Sequence, residues 1–228
     1  MDIPSDQTTQ DARIAQLQTR LRDATLASHR STDHHPLLST LVKPSLSPAL
    51  YRRVLIAMAW LHLPLRRRMT QAMALHAPGA QFVPADRCSC LMEDFTWLGI
   101  ASTPVPEGIT DCFKLRITSA ESLIGALYVT EGSLLGGQVI TRKLAESIQV
   151  YPGKGASFFH GLGADTQLHW RNFWRFASTV CPIDRSDAAT AAAIEMFKDV
   201  GRVLDTCLGL FENDLPTRPN KGALFCKT

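Results

Sequence analysis

Thr118–Leu144, TSAESLIGALYVTEGSLLGGQVITRKL, decides how the rest of the chain is read. Thr118 and Glu121 stand at the spacing of a capping box, in which an N-cap hydroxyl and an N3 carboxylate each satisfy a free backbone N–H. Leu123, Ile124 and Leu127 follow at helical spacing, and Leu134, Leu135, Val139, Ile140 and Leu144 resume it. Gly132, Gly136 and Gly137 interrupt the pattern, and each costs a helix interior about 1 kcal/mol relative to alanine. Tyr128, Gly132 and Gly136 fall at i, i+4 and i+8, so they share one stripe, with Gly125 beside it. A phenol followed by bare backbone suits a flat, bulky ligand lying along a helix that is free to kink at its glycines. It suits equally a close crossing by another helix, because small residues let two backbones approach.

A second helix is read over residues 11–31, where Ile14, Leu17, Leu21 and Ala24 share an apolar face. Seven residues separate Arg22 from His29, which turns the helix by only about 20° and advances it about 10 Å. Asp33 lies one turn after His29, placed to take the Nδ1 proton, fix the tautomer and leave Nε2 free as a ligand. The alternative is a solvated surface histidine in the polar run RSTDHH. His34 and His35 adjoin it, but successive positions on a helix diverge, which disfavours a metal cluster with His29.

The segment Leu21-Arg-Asp-Ala-Thr-Leu-Ala-Ser-His29, with Asp33 after it, resembles the proximal-helix pattern of heme oxygenases. Tyr128-Val-Thr-Glu-Gly-Ser-Leu-Leu-Gly-Gly-Gln138 resembles the distal helix of the bacterial, biliverdin-producing branch. Phe158-Phe159, Gly161 and the later Trp170 and Phe173 follow the same branch. The resemblance spans residues 11–215 and implies an all-α, single-domain, multi-helix fold with heme held between proximal and distal helices. It implies that heme is both substrate and cofactor, cleaved to biliverdin, iron and CO with O2 and electrons from a ferredoxin, a reductase or ascorbate. A biliverdin-accepting phytochrome is an implied partner.

Residue by residue, the resemblance makes His29 the axial metal ligand, held by Asp33, with Thr25 in the proximal motif. Arg22, Tyr128 and either Arg171 or Arg175 would bind the propionates; the two later arginines, at i and i+4, are aligned to grip carboxylates or are ordinary surface charge. Gly132, Ser133, Gly136 and Gly137 would form the catalytic distal surface. Leu204 and Phe211 would wall the heme, although a core role alone also explains them. Ser133 stands where animal members carry an aspartate that orders the distal water, so proton delivery falls to the serine, backbone carbonyls or water.

Two other readings remain open. A non-catalytic heme carrier or sensor would keep the same pocket. A di-iron oxidase or thiaminase-like enzyme would need paired Glu-x-x-His elements, and no glutamate in the chain starts one.

Composition agrees with a globular enzyme. The 228 residues are 45% hydrophobic and 20% charged, enough to bury a substantial core. A net charge of +3, from 24 basic and 21 acidic residues, is too small to argue for nucleic acid. Arg66-Arg67-Arg68 reads as a solvated helix face. The polar start MDIPSDQTTQD lacks the pattern of a leader, and no uninterrupted apolar run suggests a membrane span, so a cytoplasmic location is expected. Cys88, Cys90, Cys112, Cys181, Cys207 and Cys226 show no CxxC spacing and read as thiols of a reducing compartment.

The remaining pattern predicts a helix over 48–77 that Pro64 kinks or breaks, helices from Cys88 to Leu98 and around Trp170–Phe176, and a last amphipathic helix over 187–215. Thr103–Gly108 and Tyr151–Gly161 read as loops. No strand alternation and no internal repeat is apparent. The expected organisation is a flexible segment 1–10, one helical domain 11–215, and a loose tail 216–228.

Overall fold

Leu17, Leu21 and Thr25, spaced every fourth residue, are all buried, and they give the first helix its inner face. Ala24, expected on that face, is exposed. The computed structural model describes residues 4–101 and 104–213. In chain order the helices are α1 (Pro4–Asp33), α2 (Pro48–His76), α3 (Arg87–Leu98), α4 (Glu107–Thr110), α5 (Ala120–Ile148), α6 (Ser157–His160), α7 (Thr166–Val180) and α8 (Ser186–Asn213). A 3-10 turn, Leu38–Val42, follows α1. Among the described residues there is no strand, only bridge pairing of Tyr151 with Lys154 and Gly155. Residues 4–10 continue the first helix, so helical structure begins earlier than the expected flexible segment allows. The tail 216–228 lies outside the described residues.

Three long helices share a direction and frame the site. Arg20 of α1 donates to Ser186 at the start of α8 at 2.9 Å, and His35, just past the end of α1, meets Asp205 of α8 at 3.2 Å. His35 is thereby committed to α8, with its Nδ1 accepting from the Leu37 N–H at 3.2 Å. α5 starts at the same end as α8, where Glu121 accepts from Arg185 at 3.3 Å. Further along, α5 packs against the 3-10 turn that follows α1.

α5 is unbroken across its glycines. Its capping box sits one residue later than expected: Ser119 accepts from the Ser122 N–H at 3.2 Å, and Ser122 Oγ accepts from the Ser119 N–H at 3.0 Å. Glu121, at the second position of the helix, is held by its own backbone N–H and by Ser119, with Arg185 beside it. By length and composition α5 is apolar enough to cross a membrane, but half of its most apolar window is buried inside the protein. Leu123, Ile124, Leu127 and Leu144 are fully buried there, and this is the core helix.

α2 is likewise continuous through Pro64. The proline only deprives the Trp60 carbonyl of its helical donor. Behind α5, the carboxylate of Asp94 on α3 accepts from the N–H groups of Ser157 and Phe158 at 2.7 and 2.8 Å. Tyr51 of α2 donates to the Gly155 carbonyl at 2.7 Å. These buried bonds fix the short turn α6, which presses on α5 at Gly137.

Candidate active site between the first and fifth helices

Thr25 on α1 and Tyr128 on α5 bring the two motif helices together. Thr25 Oγ1 lies 3.3 Å from Tyr128 Oη and 2.6 Å from the Leu21 carbonyl oxygen. The shorter contact takes the hydroxyl's only proton, so the phenol donates across the gap. The Tyr128 ring is held by Trp170 and Trp174 of α7, at centroid distances of 5.9 and 5.8 Å. Because α1 and α5 share a direction, His29 and Gly132 each stand one turn beyond this bridge, and Asp33 and Gly136 one turn further.

His29 Nδ1 is 3.0 Å from Asp33 Oδ2, and the imidazole is 59% exposed. The ring meets Phe197 of α8 edge-on at 5.9 Å. An exposed pair of this kind contributes under about 1 kcal/mol to stability. Its effect is orientation: with Nδ1 held by a carboxylate, Nε2 remains as a ligand atom.

The glycines of α5 divide into different roles. A Cβ on Gly125 would lie 2.2 Å from the Ala189 carbonyl oxygen, and one on Gly137 would lie 2.0 Å from that of Phe159. Both are glycine because another backbone occupies that space. A Cβ on Gly132 would touch the Trp170 ring at 3.4 Å, whereas one on Gly136 would meet nothing within 4 Å. Close packing therefore explains the ends of the glycine pattern, and an open face explains Gly136.

Ser133 is exposed. Its Oγ donates to the Thr130 carbonyl at 2.7 Å and accepts from Arg87 Nη1 at 3.2 Å. Glu131, buried, takes bonds from His169 Nε2 at 2.7 Å and from the Ala85 N–H at 3.2 Å. Behind these residues lies a cavity of about 470 Å³ whose lining includes His62, Met69, Arg87, Leu127, Thr130 and Glu131. Burial, with the Arg87 charge adding to it, pushes the His62 imidazole down to about 3, so it is neutral at ordinary pH.

The other expected site residues are not drawn to His29 by any bond. Arg22 is exposed and paired with Asp23 at 3.1 Å. Arg171 is exposed; Arg175 donates to Asn172 at 3.5 Å and lines a groove with Gln10 and Phe82. Leu204 is fully buried. Phe211 stacks on Trp60 of α2 at 5.7 Å, with the Arg53 guanidinium over its other reach. Both are core residues in this structure. Arg87 touches Ser133 and Trp170 lies against Gly132; Trp170 belongs to the Trp-x-x-Phe motif, whereas Arg87 carries no sequence signal of its own. Arg87 is the first residue of α3, after residues 84–86, and its burial is visible only once Phe158 of α6 packs on it.

Among the described residues no group of three or more His, Cys, Asp or Glu side chains is gathered as a bare metal ion would need, which leaves the di-iron reading without a ligand set. What the residues do fit is a flat metal-bearing ring. One helix offers a single oriented imidazole, and the helix level with it offers a glycine that a ring face can approach. An oriented imidazole on one helix and an open glycine on another are parts with which a helical protein could hold a flat metallomacrocycle.

The chain belongs to the heme oxygenase family, whose model matches residues 15–204. No curated protein sequence matches it. Among solved structures it is similar to the heme oxygenase from Leptospira interrogans, with a TM-score of 0.68 at 21% identity over 83% of this chain and 98% of that one. It is also similar to heme oxygenase-1 from the cyanobacterium Synechocystis sp. PCC6803 in complex with heme, with a TM-score of 0.60 at 18% identity over 88% of this chain and 99% of that one. At these identities the likeness concerns the fold.

Proposed function

We infer that this chain opens heme to biliverdin with release of iron and CO, using O2 and external electrons. The observation that supports the reading is the His29–Asp33 pair on α1, one turn beyond the Thr25–Tyr128 contact that joins α1 to α5, together with the open backbone of Gly136 on α5. When bound, heme supplies both the iron that activates oxygen and the carbon ring that is opened.

The chain's own residues do the binding and aiming. His29 binds through Nε2, and Asp33 holds Nδ1–H, fixing the tautomer and raising the ligand's basicity. Gly136 admits the ring face, while Trp170 closes the side at Gly132. Gly137, locked on the Phe159 carbonyl, keeps α5 at one height over the site. Tyr128 turns its one proton from Thr25 to a propionate when heme binds, and Arg22, paired with its exposed neighbour Asp23, turns to the other; Arg171 or Arg175 adds positive charge. Leu204 and Phe211 support the wall from the core. Ser133 holds distal water.

A ferredoxin, a reductase or ascorbate serves as electron donor, and a phytochrome is a fitting acceptor for the biliverdin. A cytoplasmic location is supported by the five described cysteines, all free. Burial pushes the Cys181 and Cys207 thiols up, to about 11 and about 12, so they behave as inert core groups.

Aerobic incubation with hemin and ascorbate, followed by chromatography of the pigment, tests the function. Loss of the Soret band with appearance of biliverdin is expected. Hemin that binds and stays intact under those conditions would make the chain a carrier or sensor.

A further inference from the structure

Arg87 opens α3 and is buried, its guanidinium carbon 4.0 Å from the centre of the Phe158 ring. Burial pushes it down to about 10, which leaves it cationic at neutral pH. Glu131, Cys88 and Cys90 are the ionisable groups that act on it, and Glu131 is itself bound to His169. Arg87 Nε has no partner, so the contact from Nη1 to Ser133 Oγ at 3.2 Å is what its fork offers to α5.

A hydroxyl owns one proton and two lone pairs. The Ser133 proton goes to the Thr130 carbonyl at 2.7 Å, and one lone pair is taken by Arg87. Only a lone pair remains, on an exposed residue between Gly132 and Gly136. Towards any further partner, Ser133 in this arrangement can accept but not donate.

We propose that Arg87 is a positioning residue that fixes the Ser133 hydroxyl as a hydrogen-bond acceptor on the heme side of α5. Ser133 then anchors a distal water by accepting a hydrogen bond from it, and the water's other proton, not the serine's, faces the reacting side. Proton supply runs from solvent through water while the serine only orients it. The inference rests on the heme-binding reading above.

The test is a double-mutant cycle of R87K and S133A, read by the acid–alkaline spectral transition of the ferric hemin complex. Lysine keeps the charge but lacks the fork that reaches Ser133 from above the Phe158 ring. A group that accepts a hydrogen bond from the distal water stabilises the acid form, because water donates better than hydroxide, so each single change should lower the midpoint by about half a pH unit, roughly threefold in the acid constant. In the S133A background R87K should add nothing further. Equal shifts in both backgrounds, or a midpoint unmoved by S133A, would overturn the proposal.

A heme-free arm separates this from failure of the functional reading. In the nitrogen NMR spectrum of the apoprotein, the Arg87 Nη groups should rotate slowly in the parent and faster in S133A. Arg87 resonances indifferent to S133A would remove the bond even if hemin binds as expected. Failure of the parent to bind hemin would remove the functional reading while this arm still judges the bond.

Discussion

The hydroxyl of Thr25 and the phenol of Tyr128 meet at 3.3 Å, and this bridge sets the register between the helix that carries the imidazole and the helix that carries the glycines. With the threonine proton spent on the Leu21 carbonyl, the phenol is the donor. Tyr128→Phe should therefore cost about 1 kcal/mol of stability, the worth of one hydrogen bond, and should weaken hemin binding as well. Urea unfolding and hemin titration of the variant check both. A variant with parental stability and affinity would mean that the tryptophans of α7, not the bridge, fix the register.

The glycines of α5 make opposite predictions. Gly136→Leu should keep or raise stability, because leucine is the better helix former by up to about 1 kcal/mol, while blocking hemin uptake. Gly137→Ala should destabilise by about 1–3 kcal/mol, the usual cost of overpacking, since its Cβ would strike the Phe159 carbonyl. Thermal melts with hemin titrations separate the two. Tight hemin binding by Gly136→Leu would move the ring to another face.

His62 gives the fold an acid-sensitive point. Its folded value is pushed down to about 3 from 6.5, so as pH falls below about 6.5 the unfolded chain takes the proton first. Stability from this group is intact above that pH and is lost at about 1.4 kcal/mol per pH unit on the way down. Between pH 7 and pH 5 the parent should lose about 2 kcal/mol more than His62→Leu does. Urea midpoints at the two pH values measure the difference, and equal losses would show that His62 is solvated when protonated.

Much of this site is legible in sequence because its parts are local. Arg22, His29 and Asp33 lie on one helix, where spacing alone fixes direction, and the His29–Asp33 bond forms as the four-residue interval requires. The glycine run is visible for the same reason. What spacing does not reveal is which glycine meets what: Gly125 and Gly137 face α8 and α6, and only the tertiary arrangement leaves Gly136 open. The capping box forms at Ser119 and Ser122 rather than Thr118 and Glu121, because Ser122 can return a bond to the Ser119 N–H as well as a glutamate could. Arg87 could not be read as a site residue, since its burial depends on a turn that Asp94 pins. Leu204 and Phe211, which the resemblance names as walls of the heme, are buried, with Phe211 against Trp60 of α2.

The central claim is that His29 on α1 is the axial ligand opposite the glycine face of α5. Resonance Raman of the ferrous hemin complex tests it most directly. The parent should show an iron–histidine stretch; His29→Ala should lose it and regain an iron–imidazole stretch when imidazole is added to fill the vacated space. An unchanged iron–histidine stretch in His29→Ala, without added imidazole, would contradict the account.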